Sequence, residues 1–554
     1  MCASTREETA ADRGELALRW LCIRSVVILT ALGACGHDDE TSTSKRGNGS
    51  SETRGDNEFG SGDGGIGLDP AVEIPDPVTC EEAKTSKSYL GCDYWPTLMP
   101  SVAGYGNAHP SSKLGGCPTL NFGIVVANTG KEPAAVTVTG PNNFNAQVTV
   151  AADQSIEIDL PGVPDAETQE TAGVASGAFH LVSSVPVVVY EFNPFNFTAK
   201  CKLSTSTATA DAMLLSPTSA LTGTYRVMGS GTTAKVSNRG AAFFAVPTLT
   251  VTATAEQTTV TVKLGGAAAV IASKSGPSIP AASANGTLSF TLSKPGDIAQ
   301  IVGAANSDFS GSLVQANSPV QVTTASGVAN KQGTVMLGAY EEVMLPAEAL
   351  GKEYIVASPP PSTDGARDHI VRLYGNVDGT TLTYLPAKPA GCPDSIDAGQ
   401  FVDCDLVGDS FQVRGSAEFG VMSFVRDPYE AGETGSQTGY QSVEQFRKKY
   451  VFMGYEPPPT WHGDGITWAN ATGPKDAGLV LDGVPIDPST WKQVGDGPLG
   501  VYQINVSKSA KKGGPHVLTS DQPVGVQIIG KDYPTSFAYP AGLNLKPIAP
   551  PPVK

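Results

Sequence analysis

One fourteen-residue phrase occurs four times and limits what this chain can fold into. It stands as FHLVSSVPVVVYEF (Phe179 to Phe192), SLVQANSPVQVTTA (Ser312 to Ala325), FQVRGSAEFGVMSF (Phe411 to Phe424) and HVLTSDQPVGVQII (His516 to Ile529). Each copy is a short apolar run, a polar centre and a second run alternating apolar with small or polar residues, which reads as a β-hairpin. Pro186, Pro319 and Pro523 share one position, taken by Glu418 in the third copy. A proline there opens the second strand, where its missing N–H costs least. Four copies spaced at roughly a hundred residues or more imply a tandem array of β modules.

The bulk properties agree. A chain of 554 residues exceeds one hydrophobic core, and three or four domains are the expectation. Only 16% of residues are charged, and Gly, Ser, Thr, Ala and Val dominate, which suits short strands and turns better than helices. A net charge of −17 with no basic patch argues against nucleic acid as a partner, since neutralising phosphates needs clustered Lys and Arg. The acidity fits solubility in an extracytoplasmic setting.

Taken in order, residues 1–34 read as a leader. Arg19 and Arg24 precede the apolar run Ser25 to Ala34, too short to span a bilayer but suited to a signal-peptide core. The run ends Leu32-Gly33-Ala34-Cys35, which resembles the lipobox of bacterial lipoproteins. That resemblance makes Cys35 the lipidated first residue of the mature protein, and the membrane a partner through the anchor. Gly36 after it, in place of an aspartate, points to the outer membrane or cell surface of a Gram-negative bacterium. Residues 35–77 form a Gly/Ser/Asp-rich linker with too little apolar surface to order itself. A flexible tether of that length spans roughly 35 Å. Its DNEFGSGDGG segment matches no calcium loop.

Four modules follow, at 78–212, 213–341, 342–441 and 442–554. Period-two runs separated by Gly, Asn and Pro, such as FGIVVANTG (Phe122 to Gly130) and TVTVKL (Thr259 to Leu264), mark the strands of an antiparallel sandwich with one wet face. A connector also recurs: LLSPTSALTGTYRVMG at Leu214 matches VMLPAEALGKEYIVAS at Val343, setting Pro217 against Pro346 and Tyr225 against Tyr354, with SVEQFRKKYVFMG at Ser442 a looser third. Such connectors imply modules packed in a fixed relation. The expected fold is all-β, with about four tandem sandwich-like modules. A β-propeller is the alternative, although these units exceed a typical blade of forty to fifty residues.

These phrases, with SYLGCDYWPT, PVVVYEFNPFN, YEEVMLPAEALGKEYIV and SDQPVGVQIIGKDYPTSFAYPAGLNL, resemble the N-terminal domain of IgGFc-binding proteins, covering residues 78–545. None is a catalytic motif. The resemblance implies a binding or adhesive role, and it carries no residue signature for immunoglobulin recognition.

Six cysteines remain beyond the leader and Cys35: Cys80, Cys92, Cys117, Cys201, Cys392 and Cys404. An even number in an exported chain suggests disulfides, with fifteen possible pairings. Proximity makes Cys80 with Cys92 and Cys392 with Cys404 economical, leaving Cys117 with Cys201. No CxxC pair and no His at ligand spacing accompany them, so no metal is expected, and no motif calls for a cofactor. No catalytic residue is assigned. Gly408-Asp409-Ser410 reads as a turn before a strand, and His109, His180, His369, His462 and His516 are scattered. The loop PPPTWHGDGITWAN brings together Trp461, His462, Asp464 and Trp468; it reads first as an edge-capping loop and second as a ligand platform for a glycan or peptide. Glu341 and Glu342, beside a connector, read as water-facing rather than as an acid and base pair. The expected function is that of a surface lipoprotein binding an unknown protein or glycan ligand, against an extracellular polysaccharide hydrolase or a purely structural envelope component.

Overall fold

The computed structural model describes residues 75–99, 122–161, 172–193, 211–231, 236–238, 241–243, 246–273, 279–331, 334–361, 368–427, 434–454, 466–511, 513–532 and 535–552. The described chain is nearly all β, and one strand plan is laid down four times.

The repeated phrase does not form a hairpin. It runs as a single spanning strand: His180–Asn193, Leu313–Lys331 and Gly514–Asp532, with Phe411–Gly415 followed by Phe419–Asp427 in the third module. In the first module its N-terminal half pairs with Ala134–Gly140 and with a connector strand, Gly91–Tyr94. Its C-terminal half pairs with a central strand, Phe122–Ala127, and with a short strand we term axial, Asp211–Leu214. One strand thus belongs to both sheets of the module and holds them together. The other connectors are Thr222–Arg226, Glu353–Val356 and Arg447–Gly454, and the other axial strands are Thr334–Val343, Thr434–Gly439 and Thr535–Pro540.

The polar centre of the phrase is a bulge. Connector residues Gly91 and Asp93 lie opposite Val187 and Val182, so two steps on one strand face five on the other. The same offset recurs with Thr222 and Thr224 opposite Val320 and Gln315, and with Arg447 and Lys449 opposite Val524 and Thr519. In the third module Glu353 lies opposite Arg414, and the Phe419 amide donates to the Gly351 carbonyl at 3.1 Å. The excursion ends on the proline, or Glu418, where no ladder N–H is required. Its second residue caps the neighbouring strand: Ser184 Oγ, Asn317 Oδ1 and Ser416 Oγ each accept a backbone amide at 2.9 Å, from Ala135, Thr259 and Thr381. Hairpin turns and bulges of this kind carry the same apolar–polar–apolar signature, which is why the sequence reads as the former.

A buried tyrosine locks every excursion. Tyr94, Tyr225 and Tyr354 donate to the carbonyls of Val187, Val320 and Phe419 at 2.6, 2.7 and 2.7 Å, and Tyr450 donates to that of Val524. Each acceptor is the residue after the proline or glutamate. The tyrosine hydroxyl oxygens in turn accept amides three residues upstream, from Thr222, Gly351 and Arg447 at 3.1, 3.1 and 3.0 Å, with Gly91 doing so in the first module.

The modules close into a ring. The axial strand of module one packs on those of modules two and four, and that of module three packs on the same two. Ring closure has the cyclic character of the propeller alternative, while each unit is a two-sheet module. It also explains why central strands such as Phe122–Ala127 are buried on both faces, against the expected wet face. Ile124 and Val126 fill the module's own core, and Val125 and Ala127 pack with residues of module four.

Each seam is stitched by specific bonds. Between modules one and two, Gly173–Ser176 adds to the sheet of module two beside Asp297–Val302, and Gln321 donates to the Trp95 carbonyl at 2.9 Å. Between two and three, fully buried Arg372 reaches Asp308 at 2.7 Å, Asp403 at 2.6 Å and the Gly229 carbonyl at 2.7 Å. Between three and four, Asn470 and Gln503 both donate to the Ser358 carbonyl. The last seam joins the two ends of the folded chain: the Leu545 amide donates to the Lys87 carbonyl at 2.7 Å, and Arg447 bonds Asn544 and Asp76. The helix Cys80–Ser86, capped by Thr79 and Glu82, is tied to the first connector by the Cys80–Cys92 disulfide.

Candidate functional site

Strands of all four modules meet at the ring axis. Each axial strand pairs along one edge with a spanning strand, which leaves its other edge of N–H groups facing inward. Asp211, the first residue of its axial strand, takes them up. Its Oδ1 accepts its neighbour Ala212 at 3.0 Å and Ala538 of module four at 3.2 Å. Its Oδ2 accepts Glu341 of module two at 3.3 Å and Gln437 of module three at 3.2 Å. One carboxylate therefore holds an amide from all four modules. Burial pushes its pKa well above the usual carboxylate range, while the four amides pull the other way.

Beside this hub lies a small cavity of about 30 Å3. All four modules contribute to its wall at one register: Leu214, Val343, Gly439 and Pro540 lie opposite Tyr190, Thr323, Met422 and Gln527, each four residues beyond the proline or Glu418. The wall is otherwise mainly aliphatic and aromatic, with one carboxylate, Glu342, which accepts the Gly439 amide at 3.0 Å. Burial raises the pKa of Glu342 well above normal.

The expectation that Glu341 and Glu342 face water is therefore wrong. They are 1% and 4% exposed, because the strand that carries them runs down the centre of the ring, where neighbouring modules cover both its faces. Nothing in the local sequence separates that strand from one at a surface. Asp211 escaped the sequence reading; its only signal was a lone acid heading the apolar run DAMLL.

The disulfides Cys80–Cys92 and Cys392–Cys404 are both formed. Cys35, Cys117, Cys201, Trp461, His462 and Asp464 lie outside the described residues. Trp468 sits partly buried within the strand Ile466–Pro474, between Ile529 and Asn505, rather than on a loop. His369 is buried and bonded to Ser423 Oγ at 2.6 Å, and burial drives its pKa down to about 3. His516 is bonded to Asp482 at 2.7 Å. Among the described residues no group of three or more His, Cys, Asp or Glu is placed to hold a metal ion, and no helix is long and apolar enough to cross a membrane.

No curated protein and no solved structure matches the chain. A family model described as IgGFc binding protein matches residues 211–530, from the hub aspartate through the spanning strand of module four. With more than half of its 554 residues matched, and with the order of structural phrases described above, the chain belongs to the IgGFc binding protein family.

Proposed function

We propose that this protein is a lipid-anchored adhesin of the outer membrane or cell surface, which binds a protein or glycan through loops and sheet faces held in fixed relation around the ring. Family membership supports binding or adhesion in an extracellular setting, and the disulfides Cys80–Cys92 and Cys392–Cys404 fit an oxidising compartment. The observation that carries the mechanism is the shared Asp211 carboxylate. It ties the four modules into one body, so loops contributed by different modules meet a ligand without first paying to order themselves. Many copies anchored through Cys35 at the end of a flexible tether would add avidity to modest single-site affinity.

Two measurements test this. Residues 78–554, immobilised at high and low density, are screened against glycans, surface proteins and an immunoglobulin Fc fragment. Density-dependent retention of a defined ligand is expected, and a correctly folded protein that retains nothing overturns the adhesive reading. Cys35→Ala should move the protein from membrane to soluble fractions; unchanged membrane fractionation removes the anchor.

A further inference from the structure

Phe144–Val150 is the outermost strand of its sheet in module one, and among the described residues nothing pairs with its open edge. A bare edge is a template for another strand, and proteins that stay monomeric blunt theirs with charge, proline or shortness. Other edges of this molecule follow that rule. Ser155–Leu160 carries exposed Glu157 and Asp159, Trp491–Gln493 carries Lys492, and Val484–Pro485 ends in proline. Ser395–Ile396 is two residues long and stands between Asp394 and Asp397. Phe144–Val150 has none of these devices: it reads FNAQVTV, and residues 133–152 contain no charged side chain.

We propose that this protein forms a twofold dimer in which Phe144–Val150 pairs antiparallel, centred on Gln147, with the same strand of a second copy. The interface lies on an outer edge of module one and stands independently of the adhesive reading.

Three observations select a second copy as the occupant. First, the backbone is self-complementary. The Ala135 amide donates to Ser184 Oγ, on the side away from Phe144–Val150, and Ala135 lies opposite Thr149. The N–H and C=O groups of Thr149, and by alternation those of Gln147 and Asn145, therefore point to the open edge. A twofold axis at Gln147 sets Gln147 opposite itself and Asn145 opposite Thr149, so every outward group meets a partner. Second, the same register covers apolar surface. Phe144, Ala146 and Val148 are only half-buried, and Phe144 packs edge-on against Phe179. The axis brings Ala146 opposite Val148 and Phe144 opposite Val150, in the closer, non-hydrogen-bonded pairs where side chains touch. The matching edge of module two, Thr287–Leu292, offers less: Leu288 and Leu292 are already buried, and exposed Lys263 stands beside Thr287. Third, two chains of net charge −17 repel each other, and they approach at least cost along a strip with no charge of its own.

The test uses the full chain carrying Cys35→Ala, so that no lipid contributes to association, in sedimentation velocity from about 1 to 100 µM. A dimer should form within that range. Gln147→Lys sets two ammonium groups face to face on the axis and should raise the dimer dissociation constant at least about tenfold, while Ser289→Lys, at the edge of module two, should leave it unchanged. Should Gln147→Lys fail to fold, Thr149→Lys, exposed on the same edge, takes its place. Cysteine cross-linking reads the register. Opposed residues of the hydrogen-bonded kind lie about 5.5 Å apart at Cα, within the span of a disulfide. Under copper–phenanthroline oxidation, with the Cys35→Ala chain as the blank, Gln147→Cys should yield a covalent dimer. Asn145→Cys should not, since it lies about 13 Å along the strand from its own counterpart, but mixed with Thr149→Cys it should. A chain that is monomeric at about 100 µM overturns the proposal. So does a dimer indifferent to Gln147→Lys, a dimer dispersed by Ser289→Lys, or cross-linking through Asn145→Cys alone as readily as through Gln147→Cys.

Discussion

Replacing Asp211 with asparagine tests whether one carboxylate holds the ring. The substitution keeps the size of the side chain and one acceptor oxygen. That oxygen can hold two of the four amides now on the carboxylate, those of Ala212 and Ala538 or those of Glu341 and Gln437. The amide nitrogen then points its own N–H groups at the other two donors. Leaving two buried N–H groups unpaired costs about 1–3 kcal/mol each, hence about 2–6 kcal/mol in all, partly offset by no longer burying a charge. Alanine, which accepts none of the four, should cost more. Peptide-resolved hydrogen exchange gives the sharpest readout. The amides of Glu341, Gln437 and Ala538 lie 130, 226 and 327 residues from Asp211 in sequence, so three separate peptides report on the one carboxylate. In Asp211→Ala all three should lose protection together, by a factor of about ten for each 1.4 kcal/mol. If only one of the three peptides responds, or if Asp211→Ala melts within a degree of the wild type, the carboxylate is not the tie between modules.

Three other outcomes follow from the same geometry. Tyr354→Phe strips the Phe419 carbonyl and the Gly351 amide of their partner and should cost about 2–4 kcal/mol in urea unfolding; a loss under about 0.5 kcal/mol would show that the tyrosine lock is idle. Arg372→Ala leaves Asp308 and Asp403 facing each other at the seam between modules two and three and should cost about 3–5 kcal/mol, measured by the same unfolding curves, whereas a neutral result would dismiss that seam. His369 titrates near 3 when folded and near 6.5 when unfolded, so between those values the unfolded state binds the extra proton and the stability that the neutral imidazole supplies is lost as pH falls. The stability gap between wild type and His369→Asn should therefore shrink by about 1.4 kcal/mol per pH unit from pH 6 to pH 4, and a gap independent of pH would refute the assignment.

Much of the architecture is written in short-range patterns. The fourfold phrase, the period-two runs and the matched connectors place Tyr225 against Tyr354, and both tyrosines do the same work. What escapes the sequence is whatever depends on closure. SSVP, ANSP, GSAE and SDQP look like turns because a turn and a bulge both need small polar residues and tolerate proline; only the partner strand, with its offset of two residues against five, tells them apart. Glu341 and Glu342 look solvated because charge usually is, and their burial follows from three other modules brought round the axis. Tyr450 stands in the looser third connector, whereas Tyr94 is hidden for a different reason: the residues around it diverge from the LTGTY pattern, although the bond it makes is the same.

The place of Asp211 in the repeat has a consequence for how such an array can be inherited. At the register seven beyond the proline or Glu418, the four modules carry Asp211, Tyr340, Ser436 and Phe537. A chain built by copying one ancestral block would begin with the same side chain at all four places, and four acids crowded on one line would drive one another apart. The present blocks meet there with one acid and three uncharged side chains. Lengthening the array by a fifth block, or shortening it to three, would mean finding a new way to fill the middle.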